Sequence, residues 1–137
     1  MSDIKGYDKF EQGATFVGIV CIKDPVRPEI KPAISDCKTA GIRVIMITGD
    51  SRETALAIAQ ELNILEKQDD PKDSVFTGSE FEAMTAEQKK KAVGGLGGKV
   101  FSRVEPAHKR ELVKILIEMG QIVAMTGDGV NDAPALK

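Results

Sequence analysis

Tryptophan is absent from this chain of 137 residues, tyrosine occurs once and phenylalanine five times. Net charge is −2, and Lys89-Lys90-Lys91 is the only cationic run. Such a composition leaves no basic, aromatic-interleaved surface for nucleic acid, and the lysine run reads as a solvated helix face. No apolar stretch approaches about 18 residues, so nothing reads as a membrane span. The amino terminus lacks a signal-peptide pattern, and the isolated chain is expected to be soluble. The only two cysteines, Cys21 and Cys37, lack metal-ligand spacing. They read as small core residues in a reducing compartment, with a disulfide between them the less favoured alternative. The single histidine, His108, has no evident partner and reads as a surface residue.

What the chain does contain is the balance of one globular domain with a real core: 42% hydrophobic and 29% charged residues. Residues 1–13 are polar and form a lead-in; the domain occupies 14–137. Ala14 to Ile22 is β-branched and apolar enough for a buried strand. Asp24-Pro25-Val26-Arg27-Pro28 interrupts it, and Pro28 suits the first turn of a helix. That helix carries Ile30, Ala33, Ile34, Cys37 and Ala40 on one face, with Gly41 at C′. Arg43 to Thr48 predicts the next strand, and the helix after it is capped near Asp50 or Ser51, with Ala55, Ile58, Ala59 and Leu62 inward.

Glu66 to Asp73 is a charged surface loop, and Val75-Phe76 a short strand. Two small helices follow, the second opened by a Thr85-x-x-Gln88 capping box. Gly94-Gly95-Leu96-Gly97-Gly98 reads as a flexible turn. Lys99 to Arg103 predicts a strand, and Pro106 opens a helix with Leu112, Val113, Leu116 and Met119 inward, ended by Gly120. Ile122 to Met125 predicts a last buried strand. Strands alternating with helices imply an α/β fold whose mostly parallel sheet is covered by helices on both faces.

Polar groups gather where these strands end, the edge at which open α/β sheets bind ligands. Thr48-Gly49-Asp50 offers a hydroxyl, an approachable glycine amide and an acid; it suits an anion, and equally makes a helix N-cap turn. Lys109, early in its helix, is a solvated lysine or the cation that neutralises a bound anion. Asp128 and Asp132, with Asn131 on the same turn, suit a hard cation such as Mg²⁺, although Asp132 also serves as a cap for the Ala-Pro-Ala-Leu segment. Hydroxyl, lysine and paired acids in that order are the parts phosphoryl transfer requires.

That order resembles the haloacid dehalogenase superfamily, and its wording is closer still to the P-type ATPases. Thr48-Gly49-Asp50 and Thr126-Gly127-Asp128-Gly129-Val130-Asn131-Asp132-Ala133-Pro134 look like two of their phosphorylation-domain signatures. Asp24-Pro25-x-Arg27 resembles the hinge by which their chain returns from the nucleotide domain. Phe101-x-Arg103-Val104-Glu105-Pro106-x-His108-Lys109 is most similar to the endoplasmic-reticulum type of calcium pump.

The resemblance implies a Rossmann-like phosphorylation domain, here partial and spanning 14–137. It implies Mg²⁺ and ATP as cofactors, with Asp128 on the metal and Asn131 on the phosphate or its metal. Thr48 and Gly49 would hold the γ-phosphate, Lys109 would neutralise it, and Asp50 and Arg103 would approach the nucleotide. Lys109 and Asp128 are then the catalytic pair. The implied partners are a nucleotide-binding domain, an actuator domain and transmembrane helices, at the cytosolic face of an endoplasmic-reticulum membrane.

The family's nucleophile is the first Asp of Asp-Lys-Thr-Gly-Thr, and no such sequence occurs in this chain. Its strand would lie between those ending at Thr48 and Thr126. The sheet is therefore expected to be incomplete, and the chain to pair those two strands directly, to be of low stability, or to self-associate through exposed edges. The chain alone is expected to be inactive. The alternatives are a Mg²⁺- or phosphate-binding module without catalysis, and a soluble phosphatase of the same superfamily, which the missing carboxylate disfavours.

Overall fold

The computed structural model describes residues 13, 15–21, 25–127 and 133. In chain order these form α1 (Ile30–Thr39), β1 (Ile45–Ile47), α2 (Arg52–Glu61), α3 (Pro71–Ser74), β2 (Val75–Thr77), α4 (Gly78–Ala83), α5 (Ala86–Val93), β3 (Lys99–Ser102) and α6 (Pro106–Glu118). The strands make one parallel sheet in the order β1-β3-β2. β3 is central, with Met46 and Val75 opposite Val100, and Ile47 and Phe76 opposite Phe101.

Because side chains alternate across a strand, one residue step on β3 separates two cores. Val100 and Val75 face a layer of Ala55, Ala59, Leu62, Ile64, Leu65 and Ile34, contributed by α2, its following loop and α1. Phe101 faces Phe81, Val93, Leu112, Ile115 and Leu116 from α4, α5 and α6. The α/β architecture with helices on both faces is as the alternating pattern implied.

Helix boundaries follow local chemistry. Ser51 caps α2 by accepting the Thr54 N–H. Asp70 caps α3 with Pro71 at its first position. Thr85 and Gln88 close the expected capping box on α5, and Thr77 and Glu80 close a second on α4. Gly41 and Gly120 end α1 and α6 with φ of 73° and 76°.

Several expectations are corrected. Residues 15–21 form no strand, and Phe16, Val17, Ile19 and Val20 are exposed. Residues 121–127 form none either, and Ile122 is fully exposed. A buried strand needs a ladder partner, and among the described residues the sheet supplies none to either segment. The segments ending at Thr48 and Thr126 accordingly do not pair; among the described residues β1 pairs only with β3. With those segments unpaired, α1 buries Ile34 alone of its expected apolar face. Its first helical residue is Ile30, two beyond Pro28.

Cys21 is exposed and Cys37 half-buried, both with free thiols, so neither is a core residue. In α6, Ile115 is buried while Val113 is only half-buried and Met119 is exposed. The charged 66–73 segment is not wholly loop, since α3 begins within it. Lys89 is not solvated: its ammonium pairs with Glu111 at 2.7 Å and sits 5.1 Å from the centre of the Phe81 ring.

The glycine turn is packed at its two ends, while Gly95, Leu96 and Gly97 between them are exposed. The Arg43 guanidinium donates to the Val93 and Gly95 carbonyls at 2.6 and 2.9 Å. Gly94 is buried, and Gly98 lies so close to Ile64 that a Cβ would come within 2.1 Å of the Ile64 carbonyl oxygen. The lead-in 1–12, Ala14, Ile22 and Asp24 of the hinge-like sequence lie outside the described residues.

Candidate functional site

The carboxyl ends of β1 and β3 are joined by their backbones beyond the strands themselves. Thr48 N–H donates to the Phe101 carbonyl at 2.9 Å, and Val104 N–H returns to the Thr48 carbonyl at 3.2 Å. One step further out, Arg103 N–H donates to the Asp50 carbonyl at 3.0 Å. These bonds hold the Thr48-Gly49-Asp50 loop against the Arg103-Val104 loop, so four of the sequence-predicted positions share one edge.

Within the first loop the Thr48 hydroxyl donates to Asp50 Oδ2 at 2.9 Å and accepts the Asp50 N–H at 3.1 Å. The helix cap falls to Ser51, whose hydroxyl accepts from Thr54 N–H. Thr48 and Asp50 are therefore not the cap of α2, and the N-cap alternative for this turn belongs to Ser51. Gly49 is exposed, with open space where a Cβ would stand. Its backbone can be approached from solvent at the N-terminal end of a ten-residue helix, where amides and dipole favour an anion.

Arg103 is exposed and has a φ of 50°, the left-handed region. For an L-residue with a Cβ that conformation costs about 1–2 kcal/mol, and the two inter-loop hydrogen bonds hold it in place. Arg103 contributes to the field at the start of α2. The Glu53 carboxyl is held below its ordinary range first by its own backbone amide, next by the Ser51 hydroxyl, and further by the positive Arg103 and Arg52.

Lys109 is half-buried in the first turn of α6, its backbone N–H bonded to the Glu105 carbonyl at 3.3 Å. That turn follows directly from the Arg103-Val104 loop. Asp128 and Asn131, and with them Asp132, lie outside the described residues, so their place relative to Thr48 is not part of this geometry. Among the described residues no group of three or more His, Cys, Asp or Glu side chains is arranged to hold a metal.

A lateral support, not evident in the sequence, ties this edge to β2. From the first residue of α2, Arg52 donates to both Glu80 oxygens at 2.7 and 3.0 Å, and to the Val75 carbonyl at 2.8 Å. Glu80 in turn accepts the Thr77 N–H at 2.7 Å. The Thr77 amide first, then Arg52 and the Thr77 hydroxyl, hold the Glu80 carboxyl below its ordinary value against the opposing effect of burial.

A depressed folded-state value means that the stabilisation is present above the unfolded value of about 4.3 and disappears as pH falls through the folded one. Arg52→Ala is expected to cost about 1–2 kcal/mol near neutral pH, mostly through the bonds to Val75 and Glu80. Urea titrations at neutral pH and at successively lower pH check this: the wild-type advantage shrinks as acid protonates Glu80. An undiminished advantage in acid would assign the effect to Val75 alone.

The family described as haloacid dehalogenase-like hydrolase matches residues 2–137 of the chain. Among curated proteins, calcium-transporting ATPase 2, endoplasmic reticulum-type, of Arabidopsis thaliana is 52% identical over 98% of this chain and 13% of its own length. Calcium-transporting ATPase 4, endoplasmic reticulum-type, of the same plant is 50% identical over 96% of the chain and 12% of its own length. The endoplasmic reticulum calcium ATPase srcA of Aspergillus fumigatus is 46% identical over 96% of the chain and 13% of its own length. The chain thus spans about an eighth of the curated relatives it matches.

Proposed function

The chain belongs to the haloacid dehalogenase-like hydrolase family, and from that premise we propose that it is part of the phosphorylation domain of an ATP-driven cation pump whose cargo is Ca²⁺. In this reading it supplies the groups that stabilise phosphoryl transfer to an aspartate outside the sequence. Thr48 and Gly49 hold the γ-phosphate and Lys109 neutralises its charge. Asp50 and Arg103 approach the nucleotide. Asp128 holds Mg²⁺, which would supply electrostatic stabilisation, and Asn131 contacts the phosphate or its metal. The remaining parts are a nucleotide-binding domain, an actuator domain and transmembrane helices, which place this domain at the cytosolic face of an endoplasmic-reticulum membrane. No helix among the described residues is long and apolar enough to cross a membrane. A second copy would add to the outer edges of β1 or β2.

One observation carries this reading: the hydrogen bonds that fasten the Thr48 loop to the Arg103 loop at the end of a parallel sheet. A hydroxyl, an open glycine and an arginine are brought to one edge, and a lysine follows in the next helical turn. These groups stabilise charge in a transition state but do not attack phosphorus. The chain alone is therefore expected to bind phosphate or MgATP at about millimolar Kd, worth ~4 kcal/mol, and to form no phosphoenzyme.

NMR titration with Mg²⁺ and phosphate tests the binding, with shifts expected at Gly49, Arg103 and Lys109. Lys109→Ala is expected to weaken that binding about tenfold, the effect of one lost charge-assisted contact. Shifts confined to other surfaces would discard the shared site. Acid quench after incubation with radiolabelled ATP and Mg²⁺ tests the chemistry. Stable label that Asp128→Asn abolishes would replace this reading with an autonomous enzyme.

A further inference from the structure

His108 has partners that its sequence context does not reveal. Its side chain is only 12% exposed, and both ring nitrogens face protein groups. Nδ1 accepts the Glu105 backbone N–H at 3.0 Å, and Nε2 lies 3.8 Å from Glu82 Oε2. The ring also rests against the first residue of α4. A Cβ on Gly78 would stand 3.0 Å from His108 Nδ1 and 2.6 Å from the Arg103 carbonyl oxygen. One imidazole therefore joins α4, the β3–α6 loop and α6, between Arg103 and Lys109.

From this geometry we infer that His108 is a positioning residue with two states, one capping α6 and fixing the Arg103–Lys109 segment, the other releasing it on protonation. An Nδ1 that accepts a backbone N–H carries no proton, so the neutral ring holds its proton on Nε2, towards Glu82. Protonating Nδ1 turns the acceptor into a donor aimed at another donor, and the cap bond is lost. The added positive charge also stands in the first turn of a 13-residue helix, where the dipole opposes it.

The surrounding charges do not reverse this. Glu82 attracts the protonated ring, but its side chain is 76% exposed and water screens it. Glu105 and Arg103 of the loop are exposed. On the α5 side Lys89 and Glu111 pair with each other at 2.7 Å. Lys109 and Arg110, next along α6, add further positive charge. The inference concerns the loop itself and stands whether or not the edge binds phosphate.

Amide hydrogen exchange on the whole chain, expressed as protection factors, tests it at roughly pH 8 and about pH 5, the range over which imidazoles change charge. Wild-type Glu105 is expected to lose protection about tenfold on acidification, the equivalent of one hydrogen bond. His108→Gln keeps an acceptor at the third helical position but cannot take up the proton, so its protection stays level. His108→Ala is low at both pH values, while Phe101 in β3 stays protected in all three proteins. Wild-type protection that does not respond to pH, or a His108→Gln response equal to wild type, overturns the inference. Should the alanine variant fail to fold, the glutamine comparison decides alone.

Discussion

Phe101→Ala is expected to lower the stability of the chain by about 3–5 kcal/mol, the range for emptying a fully buried aromatic site. The ring is wholly inaccessible and sits on the central strand. It stacks on Phe76 with centroids 5.5 Å apart and meets Phe81 edge-on at 5.4 Å. Removing it takes away both aromatic contacts and leaves a void enclosed by Leu112, Ile115, Leu116 and Val93, which are anchored in two helices and cannot all move inward. Against a total of about 5–15 kcal/mol for an intact domain, the loss is a large share of the stability. Urea denaturation followed by circular dichroism measures it, with the midpoint shifted and the slope unchanged. A loss below about 1 kcal/mol would mean that α4 and α6 collapse onto the strand, and that the aromatic layer is not the rigid core described.

Gly98→Ala is expected to cost about 3 kcal/mol, at the upper end of overpacking effects. Gly98 does not have a positive φ, so the penalty comes from contact rather than from backbone conformation. The added methyl group would stand 2.1 Å from the Ile64 carbonyl oxygen and 3.0 Å from Ile64 Cγ2. The nearest atom is backbone, so no rotamer change relieves the clash; β3 and the loop after α2 must separate. Gly97 provides the control, since nothing stands near its Cβ position. Gly97→Ala is expected to change stability by less than about 0.5 kcal/mol. Equal effects from the two substitutions, by thermal or urea unfolding, would show that the turn moves freely.

These two cases show where sequence reading succeeds and where it stops. The positions of β1, β2 and β3 were legible because short β-branched and aromatic runs lie between strong turn signals. Caps are legible because Thr85 and Gln88 carry their chemistry in their spacing, and Thr77-x-x-Glu80 has the same spacing. The close approach of Gly98 to Ile64 was not legible, because it depends on two segments 34 residues apart. For the same reason His108 showed no partner: Glu105 lies within sight, but Glu82 and Gly78 do not. The apolar runs at 15–21 and 122–125 read as strands because β-propensity measures fitness for a pleated surface and cannot say whether a neighbour is there to pair with. At the candidate site, residue types pointed to Thr48, Gly49, Asp50, Arg103 and Lys109 individually. What fastens them is main-chain bonding between loops, to which side-chain identity gives no clue.

The pairing of Val75 with Val100 and of Phe76 with Phe101 has a further effect on how the sheet finds its alignment. One face of the sheet is aliphatic, with the small Ala55 and Ala59 of α2 among its larger side chains; the other is aromatic, meeting Phe81 together with Leu112, Ile115 and Leu116 of α6. A slip of β2 by one residue would turn a phenyl ring towards the alanines and a valine towards the space shaped for rings, overfilling one layer while hollowing the other. Three-residue strands carry few ladder bonds with which to resist such an error. The unlike chemistry of the two layers acts as a key cut on both sides, which enters the lock in a single position.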